Sequence, residues 1–130
     1  MSYLLDLAQK LEDDGVGTTI GREKNIFIST VPEIASRAIL LQDNELGTPI
    51  DHEIDTFYKT EFEVTVREKD YVSGEEKSLA VSESLNVLQS TIGSLFVYYV
   101  RPRHLPLSFP VSSGDYVEWL ITFDICFRTT

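Results

Sequence analysis

Two histidines, one cysteine and a run of carboxylates are the side chains with which this sequence could do chemistry. His52 precedes Glu53, but no second histidine follows four residues on, so there is no His-Glu-x-x-His zinc pair. A lone cysteine, Cys126, cannot build a cysteine cluster, and a structural zinc site is not expected. Nothing around Cys126 or His104 supplies the base and activating neighbours of a nucleophile, so Cys126 reads as a small strand side chain. Being single, it also excludes an intramolecular disulfide, which fits a reducing compartment. Asp43, Glu45, Asp51, Glu53 and Asp55 crowd one segment without the spacing of an EF-hand, and a charge-repelled exposed loop is the expectation. The glycines Gly15, Gly17 and Gly21 follow a helix rather than a strand and lack the Gly-Lys-Ser/Thr ending of a P-loop, so they read as turn residues. Phe96, Tyr98 and Tyr99 could stack bases, but only Arg101, Arg103 and His104 offer positive charge nearby. Core packing or a subunit interface is the better expectation for them. No catalytic, metal or cofactor-binding residue is expected.

The elements that must position these side chains follow from periodicity. Ser2 is placed as an N-cap, and Leu4, Leu5, Ala8 and Leu11 mark one face of a helix that Gly15 and Gly17 end. Residues 25–31 and 37–42 read as strands, the second apolar enough to be covered on both faces. Residues 43–56 carry acids, Gly47 and Pro49 without a period, and long loops of this kind are usually functional or disordered. From Tyr58 to Arg67 the alternation is nearly perfect, with Tyr58, Thr60, Phe62, Val64 and Val66 on one side. Residues 68–74 read as a polar connection. Val81, Leu85, Leu88 and Ile92 then predict an amphipathic helix, supported by Leu79 and Val87 and ended by Gly93. Residues 95–100 form an apolar strand, and Pro102, Pro106 and Pro110 exclude a central strand throughout 101–114. The last segment alternates from Val117 to Arg128, and a strand that long is expected to pair well inside the sheet. The order predicts an α+β sandwich, a mostly antiparallel mixed sheet of about five or six strands flanked by two helices.

Composition sets the outer limits. The 130 residues predict one domain, 1–130, and carry 11 basic and 21 acidic side chains, a net charge of −10. That balance argues against a reader of nucleic acid through a basic patch and against an anionic membrane surface. Seven Phe and six Tyr are too many for an acidic disordered chain. Residues 1–14 carry acids where a signal peptide carries bases, and no stretch approaches the roughly 18–20 apolar residues of a membrane span. A soluble protein made inside the cell is the expectation.

Several short signatures occur in order: "GVGTTIGREKNIFISTVP" at 15–32, "AILLQDNELGTPID" at 38–51, "FEVTVREKDY" at 62–71 and "SLAVSESLNVL" at 78–88. In this order the chain resembles the tail-terminator and minor-capsid proteins of long-tailed bacteriophages, the small head-to-tail joining proteins similar to the lambda tail terminator. The resemblance spans about residues 3–128, although 101–114 matches no part of it. It implies a hexameric ring that caps the tail tube, stops its polymerisation and meets a head-completion or connector protein. DNA passes through the lumen of such a ring without specific binding, and the ring needs no cofactor and has no catalytic residues. The protein would be made in the host cytoplasm and reside in the virion, at the tail or neck.

Within that reading, the face carrying Lys59, Glu61, Glu63 and Arg67 is a candidate subunit interface, because it presents both signs of charge, with a solvated sheet face as the equal alternative. The loop bearing Asp43, Glu45, Asp51, Glu53 and Asp55 is a candidate lumen or partner-facing segment. Two other readings stand beside it. One is another phage neck or tail component, a head-closure, adaptor or tail-tube protein. The other is a small intracellular enzyme or ligand-binding domain.

Overall fold

The computed structural model describes residues 3–19, 24–29, 37–109 and 116–129. Among them are two helices and seven strands: α1 (Tyr3–Asp13), β1 (Ile26–Ile28), β2 (Ala38–Asp43), β3 (Phe57–Glu68), α2 (Tyr71–Ser84), β4 (Val87–Ile92), β5 (Leu95–Pro102), β6 (Leu107–Phe109) and β7 (Val117–Thr129). The strands make one sheet in the order β1-β2-β3-β7-β5-β4, with β6 also paired to β7. Only β1 and β2 run parallel; every other pair is antiparallel. This is the expected α+β architecture, with seven strands in place of five or six. The N-cap expected at Ser2 lies outside the described residues.

The two alternating segments lie side by side at the centre. β3 and β7 are antiparallel over their whole length, from Phe57 opposite Arg128 to Glu68 opposite Val117. Because the side-chain period is two, this register puts Phe62, Val64, Val66, Trp119, Ile121, Phe123, Ile125 and Phe127 on one face, all buried. Both helices cover that face: α1 packs against β1, β2 and β4, and α2 against β3 and β7. α1 contributes Tyr3, Leu4, Leu7, Ala8 and Leu11 to the core, while Leu5, expected on that face, points to solvent at 61% exposure. Among the described residues, the opposite sheet face carries no helix.

α2 begins earlier than its periodicity indicates. Asp70 is its N-cap, the carboxylate accepting from the Ser73 backbone N at 2.8 Å and from Ser73 Oγ at 3.1 Å. Those bonds hold the Asp70 carboxyl below the usual carboxylate range. Residues 71–74, expected as connection, are therefore the first turn of α2.

The helix expected through Ile92 stops at Ser84, and the chain re-enters the sheet as β4. Val81, Leu85 and Ile92 are all buried, but from two different elements, and Leu88 is 73% exposed. Gly93 ends no helix. With φ +59° it forms the β4–β5 turn together with Ser94. Asp6 of α1 clasps that turn, accepting from Ser94 Oγ at 2.8 Å, and its Cγ would lie 2.6 Å from any Cβ at position 93.

Prolines shape the stretch after β5. Pro102 closes β5, and Arg103 and His104 bond to Thr122, the Arg103 backbone N donating to the Thr122 O at 2.8 Å. The chain then returns as β6 along the same flank of β7 that β5 occupies further on.

Candidate assembly surface

The face without helices holds all four residues of the expected interface. Lys59, Glu61, Glu63 and Arg67 alternate along β3 and sit opposite Cys126, Asp124, Thr122 and Glu118 of β7. The pairing of Glu61 with Asp124 sets two carboxylates directly across from each other, which alone is destabilising. Arg103, from the connection after β5, reaches over and pairs with both. The two carboxylates push the Arg103 pKa further above its ordinary value. Removing this cation as Arg103→Ala is expected to lower stability by about 1 kcal/mol at most, since the cluster is solvent-exposed. The loss should shrink as salt screens the exposed carboxylates. Urea midpoints at 20 mM and 500 mM salt measure both; equal losses would mean the arginine acts through packing instead.

Arg67 is committed within the subunit. Its Nε meets Glu118 Oε2 at 3.1 Å, and its guanidinium lies 4.5 Å from the Tyr116 ring centroid. Lys59 is exposed, and Glu63 is half-buried opposite Thr122. Burial raises the thiol pKa of Cys126, keeping it protonated near neutral pH; the neighbouring Lys59 charge offsets this only in part.

The acidic residues divide into two groups. Asp43 ends β2 and belongs to the body of the fold, because Tyr3 donates its hydroxyl to Asp43 Oδ1 at 2.6 Å and ties the root of the loop to α1. Burial and this bond raise the Tyr3 pKa well above the phenol range. Glu45, Asp51, Glu53 and Asp55 are exposed on the loop proper, as expected. Asp51 Oδ1 accepts from the backbone N of Glu53 and of Ile54 at 2.9 and 3.0 Å, which folds the loop tip on itself. The loop also exposes Leu46, Ile50 and Ile54, at 95%, 70% and 54%.

The two histidines lie on separate connections, His52 on this loop and His104 after β5. His104 donates from Nδ1 to the Leu105 carbonyl at 2.7 Å, and its Nε2 accepts from the Thr122 N at 3.3 Å. Among the described residues, no group of three His, Cys, Asp or Glu is placed to hold a metal ion. Gly15, with φ +77°, turns the chain after α1, as the turn reading requires, while Gly21 lies outside the described residues.

One cluster on this face gathers the aromatic residues of β5 with partners that are distant in sequence. A bulge in β5 between Val97 and Tyr99 places Phe96, Tyr98 and Tyr99 together on the helix-free side. Phe57 of β3 joins them, 5.8 Å from Tyr98 between ring centroids, and Phe96 and Tyr98 meet edge to face at 5.1 Å. Arg128 lies 5.0 Å from the Phe96 centroid and Arg101 4.4 Å from that of Tyr99. Strict alternation from Leu95 and Val97 sends Tyr99 to the core, so the bulge is what brings Tyr99 to the side of Phe96 and Tyr98. Phe96, Tyr98 and Tyr99 were legible as core-packing or interface candidates; Arg128 was not, because it lies 29 residues beyond Tyr99.

A family model described as bacteriophage tail terminator protein matches residues 9–127. Among solved structures, a chain from "Virion of native gene transfer agent (GTA) particle" superposes with a TM-score of 0.71, covering 98% of this chain and 95% of that one at 13% identity. At that identity the likeness is one of fold. Comparison with curated proteins finds no match.

Proposed function

The chain belongs to the bacteriophage tail terminator family, and from that premise we propose that it works structurally in the virion, as a ring that caps the tail tube. The family match over residues 9–127 carries this reading. The ring, a hexamer, stops tube polymerisation and presents its other side to a head-completion or connector protein. No enzymatic step enters the proposal. Ring contacts of this kind are heterologous, one surface meeting a different surface on the next copy. The helix-free face with Lys59, Glu61 and Glu63 supplies one such surface, while Arg67, paired internally, shapes it rather than reaching out.

The net charge fits passage of DNA. Six copies at −10 each bring about −60 to one ring, and a negative wall repels phosphates instead of holding them. The acidic loop after Asp43 faces either this lumen or a partner.

Adding the purified protein to polymerising tail tubes tests the proposal. Tubes should stop at a narrow length distribution and become competent for joining to heads. An unchanged length distribution would exclude the terminator role and favour a head-closure or adaptor role. A protein that stays monomeric by light scattering, with and without tubes, would exclude every ring reading.

A further inference from the structure

We infer that the Arg101–Arg128 aromatic patch is the socket for the acidic loop, residues 44–56, of a neighbouring copy of this chain. The inference rests on the ring reading above and specifies which surfaces meet.

The argument starts from what the patch lacks. Arg101 and Arg128 are exposed and lie over aromatic rings, and among the described residues neither is ion-paired. Arg101 sits across from Asp124, which with Glu61 is engaged by Arg103, so this part of the face carries Lys59, Arg101, Arg103 and Arg128 against two acids, a local reversal of sign in a chain with about two acids for each base. A ligand that fits must bring carboxylates and apolar side chains together. The 44–56 loop does so. It exposes Glu45, Asp51, Glu53 and Asp55, and interleaves them with Leu46, Ile50 and Ile54. Three large apolar side chains held in water on one loop are a contact surface awaiting cover.

The loop does not cover its own patch, since residues 51–56 are all exposed. Its root adjoins the near edge of the patch, since Phe57 follows Thr56 directly and Thr129 N, next to Arg128, donates to Thr56 O at 3.0 Å, whereas Tyr99 and Arg101 lie on β5, two strands across from β3. The exposed loop side chains and the β5 half of the socket are thus separate surfaces of one subunit, joined at Phe57. That is what a head-to-tail contact needs if its rotation is to close. Aromatic rings with stacked guanidinium groups are also the side chains that concentrate binding energy in interfaces. A nucleic acid strand is the competing occupant for such a platform, and the net charge of −10 disfavours it.

Paired charge reversals give the test. One variant reverses the socket (Arg101→Glu, Arg128→Glu). The other replaces two of the loop's four acids by lysine (Glu45→Lys, Glu53→Lys), using side chains that make no hydrogen bond among the described residues. Assembly of the full-length chain is followed by light scattering. Each variant alone should need at least tenfold more protein to assemble than the wild type does. An equimolar mixture should assemble better than either variant, because in an alternating ring half of the contacts pair a wild-type loop with a wild-type socket, and the other half set the new lysines against the new glutamates. Arg101→Lys, Arg128→Lys, which keeps the charge but loses the stacked guanidinium planes, should assemble at concentrations between those of the wild type and the Glu variant, and matching thermal melts show that every variant is folded.

Wild-type assembly in both single-surface variants would overturn the inference while leaving the ring reading intact. Loss of assembly in each variant with no recovery on mixing would also overturn it. Failure of the wild type to assemble would remove the ring reading, and this inference with it. If wild-type protein retains a single-stranded thymidine oligonucleotide, and the socket variant loses it with assembly unchanged, the patch reads bases and the inference is wrong.

Discussion

Truncating Phe123 to alanine is expected to cost about 3–5 kcal/mol of folding stability. Phe123 is fully buried on β7 and stacks on its register partner Phe62, the ring planes 6° apart and the centroids 5.0 Å apart. The stack continues outward: Tyr3 of α1 meets Phe62 edge to face at 6.2 Å and stacks on Phe127 at 5.1 Å. Removing the ring opens a cavity between the two longest strands and the helix that covers them. Neither neighbouring strand can collapse into it, because each is held by partners on both sides. A domain of this size has roughly 5–15 kcal/mol in total, so the variant should sit near its folding threshold at ambient temperature. In urea the midpoint should fall with an unchanged slope. Leu105→Ala, at an 81% exposed position, is the control and should change stability by no more than about 0.5 kcal/mol. A loss below about 1 kcal/mol at Phe123 would mean that the sheet centre is plastic, contrary to its packing.

The centre of this fold was readable because one physical rule governs it. Strict alternation over 58–67 and 117–128 assigns faces, and all six inward residues of the second segment proved buried or partly buried in the core. The region from Val81 to Ile92 broke a different rule. Its apolar spacing satisfies a helix, yet Val87–Ile92 pairs with β5, and tertiary pairing overrides a local period when a neighbouring strand is available. β6 was unreadable, since three residues among prolines carry no period.

The candidate surface divides in the same way. Alternation placed Lys59, Glu61, Glu63 and Arg67 on one face, and the lack of period marked the acidic loop. The engagement of Arg67 by Glu118, the bridge from Arg103 and the bulge at Tyr98 are products of register and connection geometry, which residue spacing does not encode. The structure also separates Asp43 from the loop acids, because only a tertiary contact with Tyr3 makes it part of the body.

Replacing Gly74 by alanine is expected to destabilise the protein, although the same change in an exposed helix is stabilising by about 1 kcal/mol. Gly74 lies in the first turn of α2, where the helix crosses β7. A Cβ there would overlap the Trp119 indole, with Cδ1 only 2.7 Å away. The indole has little room to retreat: it is 3% exposed and lies 4.8 Å from the Tyr71 ring. Its Nε1 is buried with no hydrogen-bond partner among the described residues, so a shift gains no compensating bond. Overpacking of this kind costs about 1–3 kcal/mol, enough to reverse the propensity gain. Trp119 is the only tryptophan, so near-ultraviolet circular dichroism and fluorescence report this contact alone among indoles. Both signals should change in Gly74→Ala alongside a lower melting temperature. Pairing it with Trp119→Phe, which removes the clashing atoms, should leave the double variant more stable than the sum of the two losses predicts. A higher melting temperature in Gly74→Ala with an unchanged indole spectrum would mean that α2 stands off the sheet, and that the core here is held by Val81 and Leu85 alone.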